Sequence, residues 1–175
     1  CELTGIYWLW KNYAAIGDPA RIGFMHYRRH FIFNDQKFRE YTPTEKHEKP
    51  YAKINVGDIY DGYAAEFGLD DATIRRETAK YDVILPEKCD LSLMDVKSIR
   101  EDYVKLIPGT KEKDLEILRK VVRRVRPDYA DLLNERLARP DKRCFQSFVL
   151  RKEIFFDYCE FLFGCLAEVD RRVNT

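Results

Sequence analysis

The sequence contains no run of about 18 uncharged apolar residues, and so it predicts no transmembrane helix. Its five cysteines include no C-x-x-C pair, which argues against a zinc cluster or a disulfide framework and favours reduced, packed thiols. It also lacks an excess of one charge, because 31 Lys and Arg residues face 30 Asp and Glu residues. Nucleic-acid-binding proteins depend on surplus cations that neutralise phosphates, so this balance argues against that class.

No secretory signal pattern and no N-x-S/T sequon occur, which favours a cytoplasmic protein. The chain does contain 45% hydrophobic and 14% aromatic residues in a length of 175, enough for a core and for a single domain over residues 1–175. It starts at Cys1 and not at a methionine, and we therefore expect it to be an excerpt of a longer protein.

Hydrophobic patterning predicts helices near both ends of the chain. Apolar residues lie almost all round the helical wheel over residues 2–16, which predicts a first helix buried on most sides. Residues 152–171 predict a long helix packed against a sheet, with a narrow acidic stripe of Glu153, Asp157, Glu160 and Glu168. Three shorter helices are expected from Asp70-Asp71, over residues 115–125, and after Pro127, the last with Tyr129, Leu132 and Leu133 facing inward.

Three apolar segments predict strands. Residues 21–33 read as a strand with Ile22, Phe24, His26 and Arg28 on one face and Met25, Tyr27 and Arg29 on the other. Residues 81–86 predict a buried strand closed by proline, and residues 145–150 predict another. Residues 34–70 read as an irregular insertion or a wall of the site. Strands that alternate with helices predict an α/β fold.

The first candidate site is His26-Tyr27-Arg28-Arg29, at the end of an apolar strand. Arginine forks match phosphate oxygens, and ligands of open α/β sheets bind at the carboxyl ends of strands. These four residues could therefore hold a diphosphate. Surface arginines and a hydrogen-bonded core histidine explain the same pattern.

The ends of the first helix form a second candidate. Glu2 and Thr4 lie where a helix N-terminus offers free N–H groups, and Lys11 and Asn12 lie at its other end. Ordinary capping explains these residues equally well. Trp8 could stack on a sugar ring, although a core position is the plainer interpretation of both Trp8 and Trp10.

Two further patterns are weaker. The basic run Arg119–Arg126 could meet nucleic acid or anionic lipid, but nearby acidic residues favour a solvated helix face. His26, His30 and His47 have no carboxylate or cysteine at a metal-binding spacing, so no metal site is predicted. Four carboxylates on expected loops, none preferred as a catalytic base, are Asp35, Asp58, Asp61 and Asp102.

Four segments keep a fixed order and an unusual composition. They are Cys1-Glu-Leu-Thr-Gly-Ile-Tyr-Trp-Leu-Trp-Lys-Asn12, Gly23-Phe-Met-His-Tyr-Arg-Arg-His-Phe31, Tyr81-Asp-Val-Ile-Leu-Pro86, and the segment from Phe145 to Phe163 with Arg151-Lys-Glu-Ile-Phe-Phe-Asp-Tyr-Cys-Glu-Phe-Leu-Phe163. Together they resemble a family of bacterial capsular and exopolysaccharide glycosyltransferases that was formerly catalogued as a domain of unknown function. The resemblance covers most of the chain apart from residues 34–70.

The resemblance implies a glycosyltransferase-A-like, Rossmann-like domain with a central mixed sheet flanked by helices, here lacking its N-terminal strand. It implies a hexosyltransferase that uses a nucleotide-sugar donor, with a uridine diphosphate sugar expected, and a polysaccharide or lipid-linked glycan acceptor. Such enzymes work in the cytoplasm, with at most peripheral contact at the inner face of the membrane. No nucleic-acid partner is implied.

The resemblance also sharpens the site. Where that fold places a metal-binding Asp-x-Asp motif, this chain carries His26-Tyr27-Arg28-Arg29, so we expect the arginines to replace the metal. The Glu2–Asn12 helix would then border the donor site, with Glu2, Thr4, Lys11 and Asn12 as expected donor contacts. No cofactor beyond the donor is then needed, with Mn²⁺ or Mg²⁺ as the alternative. The family strand Asn-Met-Phe-Ile-Met reads Gln146-Ser-Phe-Val-Leu150 here, so Gln146 would supply the sugar or acceptor contact of that asparagine. A non-catalytic nucleotide- or carbohydrate-binding module, and less readily a nucleic-acid-binding domain, are the other functions considered.

Overall fold

The computed structural model describes residues 2–34, 36, 54, 56–143 and 145–173 of the chain. Its strands and helices, in chain order, are α1 (Glu2–Lys11), β1 (Arg21–Phe24), α2 (Tyr63–Glu66), α3 (Asp71–Thr78), β2 (Val83–Ile84), β3 (Lys88–Asp90), α4 (Ile99–Leu106), α5 (Glu112–Val125), α6 (Ala130–Ala138), β4 (Asp141–Arg143), β5 (Phe148–Arg151) and α7 (Lys152–Val173). Short 3-10 helices cover Tyr13–Ile16, Leu91–Met94 and Pro127–Tyr129. The predicted α/β class is confirmed.

The central strand of the main sheet is β5, and the strand order is β1-β5-β2. Both pairings are antiparallel, with Phe24 opposite Phe148 at one end of β1 and Arg21 opposite Arg151 at the other. Phe148 and Leu150 are both buried and lie on the same face, as the two-residue period of a strand requires. This face carries the main core.

Helices α1 and α7 cover that face of the sheet. The core there consists of Ile6, Tyr13, Phe148, Leu150, Phe155 and Cys159. Trp10 stacks on Phe163 with 5.6 Å between ring centroids, and the Tyr13 ring lies 5.7 Å from that of Phe155. Each large apolar side chain buried here contributes roughly 1.5–3 kcal/mol to the free energy of unfolding. Burial also raises the pKa of the Cys159 thiol to about 12, which keeps this cysteine protonated.

Helix α5 packs against a second side of α7, where the buried contact residues are Val121, Val122 and Cys165. Glu168, which the sequence places on the solvent-facing acidic stripe of α7, is only 3% exposed. Its carboxylate pairs with three arginines, Arg124, Arg171 and Arg172. The hydrogen bond from Arg172 and these positive charges lower the pKa of Glu168 and offset the desolvation of the buried carboxylate.

Strands β3 and β4 form a separate antiparallel pair. Asp141 at the start of β4 accepts ion pairs from Lys88, Arg136 and Arg139 at 2.8–3.4 Å. The hydrogen bonds from Lys88 and Arg139 lower the pKa of the Asp141 carboxyl. Beside it, Lys142 pairs with Asp102, a carboxylate that is 4% exposed. Asp102 therefore lies in the structural interior and not on the loop predicted for it.

Several predicted elements differ from the observed ones. Helix α1 ends at Lys11, before the predicted residue 16, and it is not buried on most sides, because Tyr7 and Trp8 are about half exposed. Strand β1 stops at Phe24 and does not continue to residue 33. The buried strand predicted over residues 81–86 is observed as β2, which has only two residues. Val83 in this strand is exposed, and β2 is an outer strand of the described sheet.

The observed helices also differ from the predicted ones in two places. Leu132 in α6 is 51% exposed and does not face inward. The sequence analysis missed α4, although Ser98 provides a helix-start signal; its hydroxyl accepts a hydrogen bond from the Glu101 N–H at 3.1 Å. Among the described residues, no helix combines the length and apolar content needed to cross a membrane.

Part of the segment predicted as irregular, residues 34–70, folds back on the residues that precede it. Phe67 is buried, and its carbonyl accepts a hydrogen bond from the Phe33 N–H at 2.9 Å. Gly68 has a φ of +69°, and a Cβ built there would lie 2.8 Å from the backbone nitrogen of Asn34. Only glycine tolerates this close approach at a positive φ. Residues 35, 37–53 and 55 lie outside the described residues, so a wall built by the whole segment stays a prediction.

This contact predicts that Gly68→Ala is more destabilising than Gly62→Ala. Both glycines have a positive φ, so alanine at either site meets backbone strain of about 1–2 kcal/mol. At Gly62 nothing lies within 4 Å of the added Cβ, whereas at Gly68 the Asn34 backbone must move. We expect Gly68→Ala to lower the free energy of unfolding by roughly 1–3 kcal/mol more than Gly62→Ala, as measured by urea denaturation. Equal losses would show that the segment does not pack on Asn34.

Candidate functional site

The end of β1 and the start of β5 lie at the same edge of the main sheet. Phe24 and Phe148 are the last paired residues at this edge, and their rings stack with 5.8 Å between centroids. Because the strands are antiparallel, residues that follow Phe24 meet residues that precede Phe148. The pairing of two strands distant in sequence therefore brings together the predicted diphosphate-binding residues His26–Arg29 and Gln146, the predicted sugar or acceptor contact.

His26, Tyr27, Arg28 and Arg29 form a tight turn and not the end of a long strand. The Arg29 N–H donates to the His26 carbonyl at 3.0 Å, and the Arg28 N–H donates to His26 Nδ1 at 3.2 Å. The second bond requires an unprotonated Nδ1 on His26. The prediction that His26 and Arg28 share one strand face is thus wrong, since all four residues surround the tip of a turn. Tyr27 is 75% exposed at this tip.

Arg28 and Arg29 have aromatic neighbours but no acidic partner in the part of the chain that the structure describes. The Arg28 guanidinium lies 5.0 Å from the Tyr27 ring centroid, and that of Arg29 lies 4.4 Å from the Phe145 ring centroid. Elsewhere an arginine such as Arg126 is held by carboxylates, with Asp128 and Asp157 at 3.0 and 2.8 Å. The turn therefore presents two guanidinium groups whose charge no described carboxylate neutralises.

The residues just before β5 add polar groups to this edge. Gln146 is exposed, and Ser147 beside it is 6% exposed. The Ser147 hydroxyl has no hydrogen-bond partner among the described residues. A buried hydroxyl without a partner costs about 1–3 kcal/mol, so such groups are uncommon away from sites that bind water or ligand. The sequence analysis did not select Ser147; the strand register, once known, is the signal that places it here.

Helix α1 runs antiparallel to β1, so only its N-terminal end reaches the site. Gly5 of α1 packs on the Phe24 ring, since a Cβ at Gly5 would lie 3.5 Å from that ring. At the other end of β1, the Tyr13 hydroxyl donates to the Pro19 carbonyl at 2.8 Å. Thr4 is exposed near the site, while the side chain of Glu2 lies outside the described ones.

Lys11 and Asn12 are separated from this edge. They follow Thr4 by two turns of helix, about 10 Å along the axis. The Lys11 ammonium lies 3.4 Å from the Trp10 ring centroid, and the Asn12 amide donates to the Trp8 carbonyl at 2.9 Å. Both side chains thus have roles at the C-terminal end of α1. The structure does not bring these two side chains together with the turn His26–Arg29, called the arginine turn below.

The two tryptophans of α1 have different environments. Trp10 stacks on Phe163 in the core, as expected. Trp8 is 52% exposed, so the core interpretation is wrong for it. Trp8 lies one turn after Thr4 on the same helix face, because residues four apart are neighbours on a helix. Its exposed ring is available to a sugar, as the alternative interpretation requires.

Other sequence candidates are held by protein contacts or lie outside the described residues. Three members of the basic run pair with acids: Arg119 with Glu112, Arg124 with Glu168, and Arg126 with Asp128 and Asp157. His30 Nδ1 lies 3.0 Å from the Tyr63 hydroxyl, a pairing that the sequence analysis did not foresee. His47 and Asp35 are outside the described residues. Within the described ranges, no group of three or more metal-ligating side chains occurs.

The chain is similar to known proteins in both structure and sequence. The chain matches the apo structure of the bifunctional glycosyltransferase WbbM with a TM-score of 0.84 and 30% sequence identity. The match covers 98% of this chain and 28% of that chain, so its α/β fold is that of one part of a glycosyltransferase. The chain belongs to the DUF4422 family, described as a domain of unknown function, whose match extends over residues 1–175. No curated protein matches it.

These findings confirm the coarser part of the resemblance. The chain has the expected fold, and it is related in sequence and structure to a glycosyltransferase. The chain spans less than a third of the length of that relative.

The unpartnered hydroxyl at this edge makes a testable prediction. Because Ser147→Ala removes a buried group that has no described hydrogen-bond partner, we expect it to leave the free energy of unfolding unchanged or to raise it by about 1 kcal/mol. Ser98→Ala is the matched control, since the Ser98 hydroxyl caps α4 and its loss should cost about 1 kcal/mol. Urea denaturation measures both. A loss for Ser147→Ala as large as for Ser98→Ala would show that Ser147 has a structural partner.

Proposed function

We propose that this chain is the donor-binding part of a glycosyltransferase and that it binds a nucleotide sugar at the edge where β1 ends and β5 begins. The observation that carries the proposal is the turn His26–Arg29, which presents Arg28 and Arg29 without a described acidic partner. The relationship to a glycosyltransferase structure supports the reaction class. The donor expected is a uridine diphosphate sugar, and the reaction is transfer of its hexose.

The charges at this edge suit a diphosphate. Guanidinium groups form paired hydrogen bonds with phosphate oxygens, and each such charge-assisted contact contributes about 1.5–3 kcal/mol. The N-terminal end of α1 lies at the same edge, and its free N–H groups add favourable partial charge for an anion. The leaving nucleoside diphosphate gains negative charge during transfer, so fixed cations stabilise that transition state more than the ground state.

Exposed groups at the turn, before β5 and on α1 suit a sugar or a glycan acceptor. Trp8 and Tyr27 offer aromatic faces, and the exposed Gln146 offers an amide that can donate and accept. Rings and amides of this kind bind the apolar faces and the hydroxyls of pyranoses. The acceptor we propose is a polysaccharide or a lipid-linked glycan. The setting is capsule or exopolysaccharide synthesis in the cytoplasm, with at most peripheral contact at the inner face of the membrane.

The chemistry of the turn favours donor binding without a divalent metal. Hard cations such as Mg²⁺ and Mn²⁺ prefer oxygen ligands, whereas the turn supplies one imidazole, one phenol and two guanidinium groups. A divalent ion within a few ångströms of two guanidinium groups would also be repelled. We therefore assign to Arg28 and Arg29 the charge that a metal supplies in related folds.

The first test is titration calorimetry of uridine diphosphate with the chain and its variants. We expect Arg28→Gln and Arg29→Gln each to weaken binding by on the order of 10- to 100-fold, because each removes one charge-assisted contact. Arg123→Gln is the control, since Arg123 is exposed on α5, away from this edge. Parent-like affinity in both turn variants, with parent-like circular dichroism, would overturn the assignment. Binding by the chain with no sugar transfer by the full protein would favour the non-catalytic binding module.

The second test concerns metal. We expect the affinity for the uridine diphosphate sugar to be the same with and without excess chelator, because the guanidinium groups are covalent parts of the chain. Calorimetry in both buffers measures this directly. If chelation abolishes binding, and Mn²⁺ or Mg²⁺ restores it, the arginine-for-metal assignment is wrong. Asp35, which follows Arg29 by six positions in the sequence, and Glu2, the first residue of α1, would then be the first carboxylates to substitute.

A further inference from the structure

A concave feature lies at the end of β1 opposite the turn. It is a cavity of about 390 Å³ between α3 and the residues that lead into β1. Cavities that hold small ligands usually measure about 300–1,000 Å³, so this one is large enough for a small molecule. Its lining residues are Pro19, Ala20, Arg21, Asp71, Ile74, Arg75, Thr78 and Ala79.

Arg21 brings positive charge to this cavity that its surroundings do not neutralise. It lies directly opposite Arg151 in the sheet register, a like-charge pair that is unfavourable. Arg151 is compensated by Asp82 and Glu153, at 3.2 and 3.5 Å. Among the described residues, the Arg21 side chain makes one long hydrogen bond, from its Nε to the Tyr81 carbonyl at 3.5 Å. Its terminal guanidinium nitrogens remain available to a ligand.

Arg75 brings the second charge. The neighbouring Arg76 pairs with Glu77 at 3.0 Å, but no ion pair to Arg75 occurs within 4 Å in the described ranges of the chain. Asp71, one helical turn earlier and also on the cavity wall, does not pair with Arg75 at that distance. Two guanidinium groups and one carboxylate therefore leave the cavity with a net positive charge.

The rest of the wall is apolar. Its hydrocarbon surface comes from Pro19, Ala20, Ile74 and Ala79. The Thr78 hydroxyl donates to the Ile74 carbonyl at 2.8 Å, so the proton of this hydroxyl already has an acceptor within the protein. A purely inorganic anion would leave this surface in contact with water. A ligand that carries both an anion and an apolar group satisfies both parts of the wall.

We propose that this cavity is a second anion site, which binds an organic phosphate with its phosphate between Arg21 and Arg75 and its apolar part against Ile74 and Pro19. Phosphate fits better than carboxylate, because its three free oxygens can accept hydrogen bonds from two guanidinium forks at once. The ligand is either a phosphorylated small molecule or the phosphate of a lipid. The proposal does not depend on the donor site at the other end of β1.

Calorimetry with geranyl phosphate, inorganic phosphate and geraniol tests the chemistry. We expect geranyl phosphate to bind at least about tenfold more tightly than inorganic phosphate, and geraniol not to bind. Arg75→Gln should weaken geranyl phosphate binding about tenfold or more, and Ala79→Leu should weaken it by filling the cavity. Arg76→Gln is the matched control, since Arg76 is adjacent but does not line the cavity. Parent-like binding by both cavity variants would overturn the proposal, as would no binding by the parent chain.

Two further arms separate the ligand sources and the two proposed sites. Co-sedimentation with phosphatidylcholine vesicles that contain phosphatidic acid, lost in Arg75→Gln, assigns the site to a lipid phosphate; geranyl phosphate binding without co-sedimentation assigns it to a soluble one. Arg29→Gln should leave geranyl phosphate affinity unchanged. If Arg29→Gln abolishes it, the phosphate binds at the turn and the second site does not exist. Loss of uridine diphosphate binding in Arg29→Gln alone bears only on the donor proposal.

Discussion

The antiparallel pairing of β1 with β5 is the constraint on which the rest of the structure depends. It sets Phe24 against Phe148 and thereby joins the arginine turn to the residues before β5. Helix α7 begins at the residue after β5, and the Lys152 N–H donates to the Ala20 carbonyl at 3.0 Å. Because no loop separates β5 from α7, the helix runs back over the sheet towards the end where β5 began. Helices α1 and α7 then enclose the face that carries Phe148 and Leu150.

The arginines and lysines of this chain differ in whether a carboxylate neutralises their charge. One group of arginines and lysines holds carboxylates that are partly or fully buried, as around Glu168 and Asp141, where their contacts lower the pKa of each carboxyl. These pairs offset desolvation and fix the positions of α5, α7 and β4. A second group has no acidic partner within the described residues, and it includes Arg28 and Arg29 at the turn and Arg21 and Arg75 at the cavity. The ion pairs give the first group structural roles, and the two proposed binding sites use arginines of the second group.

The sequence predicted the parts of the fold that rest on local signals. Helix α3 begins where Asp70 accepts from the Thr73 N–H, and α5 and α7 keep a helical apolar period. The ends of the strands were predicted poorly, because a strand ends where its backbone pairing with the neighbouring strand ends and not where its apolar residues end. Aromatic residues continue to Phe33, but described β5 pairing ends at Phe148, so β1 ends opposite it at Phe24. The turn at His26–Arg29 contains neither glycine nor proline, and so the usual turn signals are absent.

The candidate site was predictable as a set of residues but not as a geometry. The resemblance placed both ends of α1 at the donor, although the rise of a helix separates Thr4 from Lys11 by about 10 Å. Residue types also cannot reveal which arginines are neutralised, since Arg126 meets Asp157 across 31 positions of sequence. The same strand that fixes the turn fixes Arg21 opposite Arg151 at its other end. Since four strand residues span about 10 Å between their ends, anions bound at the two proposed sites would interact weakly through solvent-screened charge. The two proposed sites would therefore have independent specificities, one polar and aromatic and the other apolar.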